Sequence, residues 1–268
     1  MISANTAATT AFSYNSKMKC LLGELESLIE KIAEKFSLYH RGKPRKAFIL
    51  DVLLRYGCTG CLLKALTQHE IGLIDNIYIE NHRLALNLLC DHLKNRLNTY
   101  GIKALIEKET SGNYGRVDVI LKLTSRGLQL NLSGIHVIIE VKCGKSLRYS
   151  QLFRYFIMNK NTAIMIVWRV PLRQVFILEK TKIGPLLLFA TEAAVKRAQA
   201  ILSGNITLCG HKLSSTIKVI ENPQELINSV IEGLNDLPKV VDAIAQSIRI
   251  LLKRNMVNDQ NSLGDVNV

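Results

Sequence analysis

Ile135-His136-Val137-Ile138-Ile139-Glu140-Val141-Lys142 decides how this chain is read. A run this dense in β-branched residues, apolar at successive positions, predicts a central strand buried on both faces. Glu140 and Lys142 end it. They stand two apart, so they project together on one face. Just upstream, Gly115-Arg116-Val117-Asp118 leads into Val119-Ile120-Leu121, a second strand with a carboxylate set among apolar neighbours. Burying Asp118 or Glu140 is costly unless something pairs with it. Two readings of these residues are open. Glu140 and Lys142 can mark a strand reaching solvent, with Asp118 capping a turn or pairing with Arg116. Alternatively, the two carboxylates and the lysine converge on one site.

Working outward, Ser146 to about Asn159 reads as a helix, with Gln151 and Tyr155 four apart on one face. Thr162 to Val170 is a further strand, and Val175-Phe176-Ile177-Leu178 is a candidate for another. Before the site, Asn76 to Tyr100 is an amphipathic helix with Gly101 where a C-cap glycine belongs, and Ala104-Leu105-Ile106 begins a strand. Ser125-Arg126-Gly127 is a turn signal. The order helix, three strands, helix, strand predicts an α/β fold: a mixed sheet flanked by helices. A helix from about Pro185 to Leu202 closes this middle region.

The outer thirds read as helical additions. Residues 1 to about 16 form a loose polar tail, followed by a helix from Lys17 to about Leu38 that Gly42-Lys43-Pro44 breaks; a second helix carries Phe48, Ile49, Val52 and Leu53 and closes at Gly57. After Gly204, helices around Leu226–Ile231 and Val241–Leu252 flank Leu237-Pro238, and Asn255 to Val268 reads as a frayed tail. The expected division is 1–75, 76–205 and 206–268.

With 268 residues, 48% of them hydrophobic, the chain can bury a sizeable core. A formal net charge of +13 points to a polyanionic partner (DNA, RNA or an acidic membrane surface) or simply to solubility. No stretch is long enough to span a bilayer, and Met1 to Asn15 lacks a signal-peptide pattern. An intracellular location with free thiols follows as the expectation. Of six cysteines, Cys58-Thr59-Gly60-Cys61 has metal-knuckle spacing, and Cys209-Gly210-His211, Cys20 or Cys90 could complete a zinc site. The chain has no second Cys-x-x-Cys, which favours free thiols. His136, four residues before Glu140, reads as a packed core histidine.

Two carboxylates on neighbouring strands suit a hard divalent cation, Mg²⁺ or Mn²⁺, with the Val141 carbonyl as a further oxygen ligand. Lys142 beside them suits charge stabilisation at a phosphate. The order Gly115-x-x-Asp118, Glu140-x-Lys142, Gln151-x-x-x-Tyr155 resembles the PD-(D/E)xK nuclease superfamily, and within it the RecB-like branch. The likeness covers residues 115–155, extends with its flanking elements to about 76–205, and leaves the outer thirds aside. It implies a restriction-endonuclease-like fold. It also implies that Asp118 and Glu140 ligate the metal, that Lys142 is the catalytic lysine, and that Gln151 and Tyr155 position lysine, metal shell or phosphate. Such nucleases often place an acidic residue or a histidine on the preceding helix, where Glu80 is the candidate ligand and His82 the option. The CRISPR-associated relatives hold an iron–sulfur cluster through a late cysteine group that this chain lacks, so no cluster is expected.

Arg116, Lys145, Arg148 and Arg154 are the candidate nucleic-acid contacts, with Lys122 and Lys160 nearby and Tyr149 and Phe153 available for stacking. The expected activity is hydrolysis of DNA, single-stranded or with free ends, in repair, recombination or mobile-element replication and defence. The rivals are a nuclease-like nucleic-acid binder without activity and a scaffold whose terminal helices recruit a partner or a second copy.

Overall fold

The structure is a computed structural model, and it describes residues 4–68, 76–112, 115–123, 135–144, 148–159, 161–207 and 223–264. Its elements in chain order are α1 (Ala4–Lys35), β1 (Tyr39–His40), β2 (Lys43–Pro44), α2 (Lys46–Arg55), α3 (Thr59–Gln68), α4 (Asn76–Thr99), β3 (Ala104–Gly112), β4 (Gly115–Leu123) and β5 (His136–Lys142). Then follow α5 (Tyr149–Met158), β6 (Thr162–Arg169), a single 3₁₀ turn (Val170–Leu172), β7 (Gln174–Glu179), α6 (Lys180–Ser203), α7 (Pro223–Asn235) and α8 (Leu237–Gly264).

Five strands form one mixed sheet in the order β3-β4-β5-β6-β7. Every neighbouring pair is antiparallel except β5 and β6, which α5 connects as a crossover and which therefore run parallel. This is the expected α/β architecture, a mixed sheet between helices. β5 lies at the centre. Val137, Ile139 and Val141 enter a core shared with α4, α7 and α8, whereas Ile138 enters the core shared with α1, α2, α3, α5 and α6. Burial on both faces is what its continuous β-branched sequence encodes.

The terminal helices pack on the helices of the middle region. α1 lies along α6, tied by Lys17–Glu192 (2.6 Å), Gln199 donating to Glu24 (2.7 Å) and Lys35 donating to the Ile201 carbonyl (3.1 Å). α2 packs on α5 and α8 on α4.

Several sequence expectations need correction. The N-terminal stretch is helical from Ala4, not a loose tail, and α8 runs on to Gly264, past the point where fraying was expected. Extending a helix whose other turns are already packed adds a hydrogen bond per residue without a new nucleation cost. A short hairpin, β1–β2, forms where only a break was read. α6 begins at Lys180, five residues ahead of Pro185, so the proline lies inside the helix rather than opening it. The Cys58–Cys61 spacing is the start of α3: the Cys61 amide donates to Cys58 Sγ at 3.2 Å, a cap-like contact, and Cys61 is buried. Among the described residues Cys20, Cys58, Cys90 and Cys143 are free thiols, and Cys209 and His211 lie outside the described residues, as do Ser125–Gly127. Gly101 meets its expectation, with φ +68 just after α4. Among the described residues no helix is long and apolar enough to cross a membrane.

Candidate active site

The β4–β5 ladder carries its last pair at Val119 and Ile139. One step further, Asp118 and Glu140 leave the ladder. There the Asp118 carboxylate takes the place of a backbone partner: its Oδ2 accepts from the Val141 amide at 2.7 Å. β4 rotates as it passes this residue, since Val117 packs in the α5-side core and Val119 in the α4-side core. β3 adjusts too. Lys108 pairs with Val119 and Thr110 with Val117, leaving Glu109 between them in left-handed backbone at φ +48. Arg116 ion-pairs with that Glu109, not with Asp118.

Glu140 is only 2% exposed. Its Oε1 accepts from Lys142 Nζ and from Gln151 Nε2, the latter at 2.6 Å. Its Oε2 is buried and has no hydrogen-bond partner. Burial raises the Glu140 pKa most; Lys142 pulls it back, and the neighbouring Asp118 charge pushes it up again. The carboxylate is thus held by one cation and is short of positive charge.

α5 supplies the rest of the network. Lys142 Nζ donates to Gln151 Oε1 at 3.1 Å, Gln151 Nε2 meets Tyr155 Oη at 2.9 Å, and Tyr155 Oη donates to the Arg116 carbonyl at 2.6 Å. Burial, and next the Glu140 charge, raise the Tyr155 pKa, so the phenol stays protonated and remains a donor. Gln151 and Tyr155 thereby tie α5 to the ends of both β4 and β5.

On the other side, α4 brings in His82, whose Nε2 lies 3.1 Å from Asp118 Oδ2. The Asp118 hydrogen bond raises the His82 pKa more than burial lowers it. Glu80 is exposed. Two residues along a helix turn a side chain by about 200°. When packing aimed His82 at the sheet, it therefore turned Glu80 away. His82, carried only as an option from sequence, is the α4 residue that reaches the site.

Of the candidate nucleic-acid contacts, Arg148 is exposed at the N-cap of α5. Arg154 is turned inward: it donates to the Ala47 carbonyl at 3.3 Å and stacks over the Tyr155 ring. Arg116 is engaged with Glu109, and Lys122 with Glu107. Phe153 packs against the core, and Tyr149 is exposed. Lys145 and Lys160 lie outside the described residues. His136 is half-buried on β5, and burial lowers its pKa.

A support that the sequence did not reveal is the bond from the buried Ser150 hydroxyl on α5 to Asp51 Oδ1 on α2, 2.8 Å long and joining residues 99 positions apart. With Arg154 and Ala47 it fixes α5, and hence Gln151, against the front helices. Ser150→Ala removes a charge-accepted hydrogen bond and should cost about 1–2 kcal/mol. Urea denaturation would register this as a lower midpoint, and Ser150→Thr, which keeps the hydroxyl, should recover part of it.

The oxygen donors fit a hard divalent cation. Glu140 Oε2 is a buried anionic oxygen without a partner, Asp118 uses one oxygen for both of its contacts, and the Val141 carbonyl lies between Glu140 and Lys142 in the chain. Among the described residues no three or more His, Cys, Asp or Glu side chains gather into a metal site by themselves, so two carboxylates would rely on that carbonyl and on water.

No protein-family model matches the chain, and neither a curated protein nor a solved structure matches it.

Proposed function

We propose that this protein is a metal-dependent nuclease of the PD-(D/E)xK kind that hydrolyses phosphodiester bonds in DNA. The observation that carries the reading is the divided Glu140 carboxylate: one oxygen is held by Lys142 and Gln151, and the other is buried and unpartnered next to Asp118. Such an oxygen is expensive to leave without a donor or a cation. Asp118, Glu140 and the Val141 carbonyl would hold Mg²⁺ or Mn²⁺. When bound, that ion polarises the scissile phosphate and lowers the pKa of a ligated water.

The chain's own groups do the rest. Lys142, at the mouth of the site beside Glu140, neutralises charge developing on the phosphoryl oxygens or holds the attacking water. Gln151 bridges Lys142, Glu140 and Tyr155 and so limits where the ammonium group can go. Tyr155 anchors that bridge to the β4 backbone. His82 donates to Asp118 and fixes its orientation. The +13 net charge supports a polyanionic substrate. Roles in repair, recombination or mobile-element replication and defence fit a DNA nuclease and follow only from that reading.

The test is incubation of the full chain with labelled linear, circular, single- and double-stranded DNA. Cutting should occur with Mg²⁺ or Mn²⁺ and stop with EDTA. DNA binding without cutting under any ion would leave an inactive binder. Neither binding nor cutting would leave the scaffold reading.

A further inference from the structure

The free edge of a sheet exposes unpaired backbone N–H and C=O groups, and proteins usually guard it with charges, bulges or cover. The two edges of this sheet differ. β3 is guarded: it carries Glu107, Lys108 and Glu109, the last in left-handed backbone that interrupts its ladder. β7, Gln174-Val175-Phe176-Ile177-Leu178-Glu179, has no charge, proline or bulge between its ends, and its pairing with β6 runs unbroken from Arg169–Gln174 to Ile164–Glu179. Among the described residues no strand occupies its outer side.

Phe176 and Ile177 are neighbours in the strand, so they face opposite sides of the sheet, yet each is 40% exposed. A helix laid against the sheet would cover only one of them. A further strand would cover the backbone edge and flank both. On the α6 side, Leu186 and Phe189, three apart on that helix, are also exposed.

We propose that β7 pairs antiparallel with β7 of a second copy of this chain, about a two-fold axis perpendicular to the sheet, joining the two five-stranded sheets into one. Such an axis keeps every side chain on its own face, so only residues an even number of positions apart can meet. Centred on Phe176, the register sets Phe176 against its counterpart, Val175 against Ile177 and Gln174 against Leu178; it stops there because Arg173, just before β7, is in left-handed backbone at φ +53. Aromatic and β-branched pairs are favourable across strands. Shifting the axis to Ile177 sets the Glu179 carboxylate against Val175, and shifting it to Val175 cuts the pairing to Gln174, Val175 and Phe176, because the strand does not extend back past Gln174. The pairing does not depend on the nuclease reading.

Sedimentation velocity on the full chain should give a species of twice 30.0 kDa that dissociates on dilution. Phe176→Lys and, separately, Ile177→Lys should each give a monomer with unchanged circular dichroism, because both side chains are already partly in solvent. Ile231→Lys, on an exposed position of α7, should leave the dimer intact. A wild-type chain that stays monomeric at every concentration would overturn the proposal. So would a dimer that survives both β7 substitutions, or one broken by Ile231→Lys, which would place the interface on the terminal helices instead.

Discussion

Glu140→Gln is expected to lower the rate of DNA cleavage by about 10³-fold or more, the scale on which removing a transition-state charge stabiliser acts. The amide retains an oxygen that accepts from Lys142 but loses the anionic oxygen that would hold the cation. Folding should survive, because the substitution removes a buried charge that is costly to desolvate. Two measurements separate catalysis from structure. The variant should bind DNA as wild type does, by fluorescence anisotropy with Ca²⁺ or EDTA. It should also lose the rise in melting temperature that Mg²⁺ or Mn²⁺ gives the wild type through binding the folded state alone. Cutting at the wild-type rate by Glu140→Gln would end the nuclease reading. Lys142→Ala should be equally inactive but less stable, by about 3 kcal/mol, because it strips the cation from a carboxylate that stays buried.

Gly233→Ala should be the most damaging small substitution outside the site. Gly233 on α7 lies against the 3₁₀ turn that follows β6, and a Cβ there would collide with the Val170 carbonyl oxygen and sit 2.6 Å from its carbon. The obstacle is backbone at the end of a central strand, so it cannot swing aside as a side chain could. Asp236, at the end of the same helix, ion-pairs with Arg173 just beyond that turn, so α7 and the turn are coupled at two points. Overpacking of this kind costs about 3 kcal/mol. In a chain of this size that amounts to a drop of about 6–12 °C in melting temperature. Calorimetry would read it directly, and an unchanged melting temperature would mean that α7 does not press on the turn as described.

Much of the sheet was legible because its central strands are buried on both faces. β5 and β6 show as unbroken apolar runs, and the charges at the end of β5 stand out against them. The pairing of Glu140 with Lys142 followed from a period of two, and that of Gln151 with Tyr155 from a spacing of four, both local rules. Where local rules mislead, the cause can be named. α3 was hidden because Cys58 and Cys61 have metal-knuckle spacing, while buried Leu62 and Leu66 hold the helix in place. Pro185 suggested a helix start, but its absent N–H costs one bond in a helix that Leu187, Ala194 and Ala198 bury along its length. The sequence favoured Glu80 over His82, and that order is reversed because the rotational phase of α4 is set by Ala85, Leu86, Leu89 and Leu93 in the core.

The amino-acid order alone determined the alternation of helix and strand, the buried central ribbons, and the placing of Glu140 and Lys142 on one face at the end of β5, because these depend on backbone periodicity. Only the tertiary structure decided that Asp118 meets the end of β5, that His82 faces Asp118, that Asp51 holds Ser150, that Arg154 turns inward, and that among the described residues no strand lies on the outer side of β7. Each of these depends on how distant segments pack, and no local spacing in the chain records the relative position of surfaces that meet only after folding.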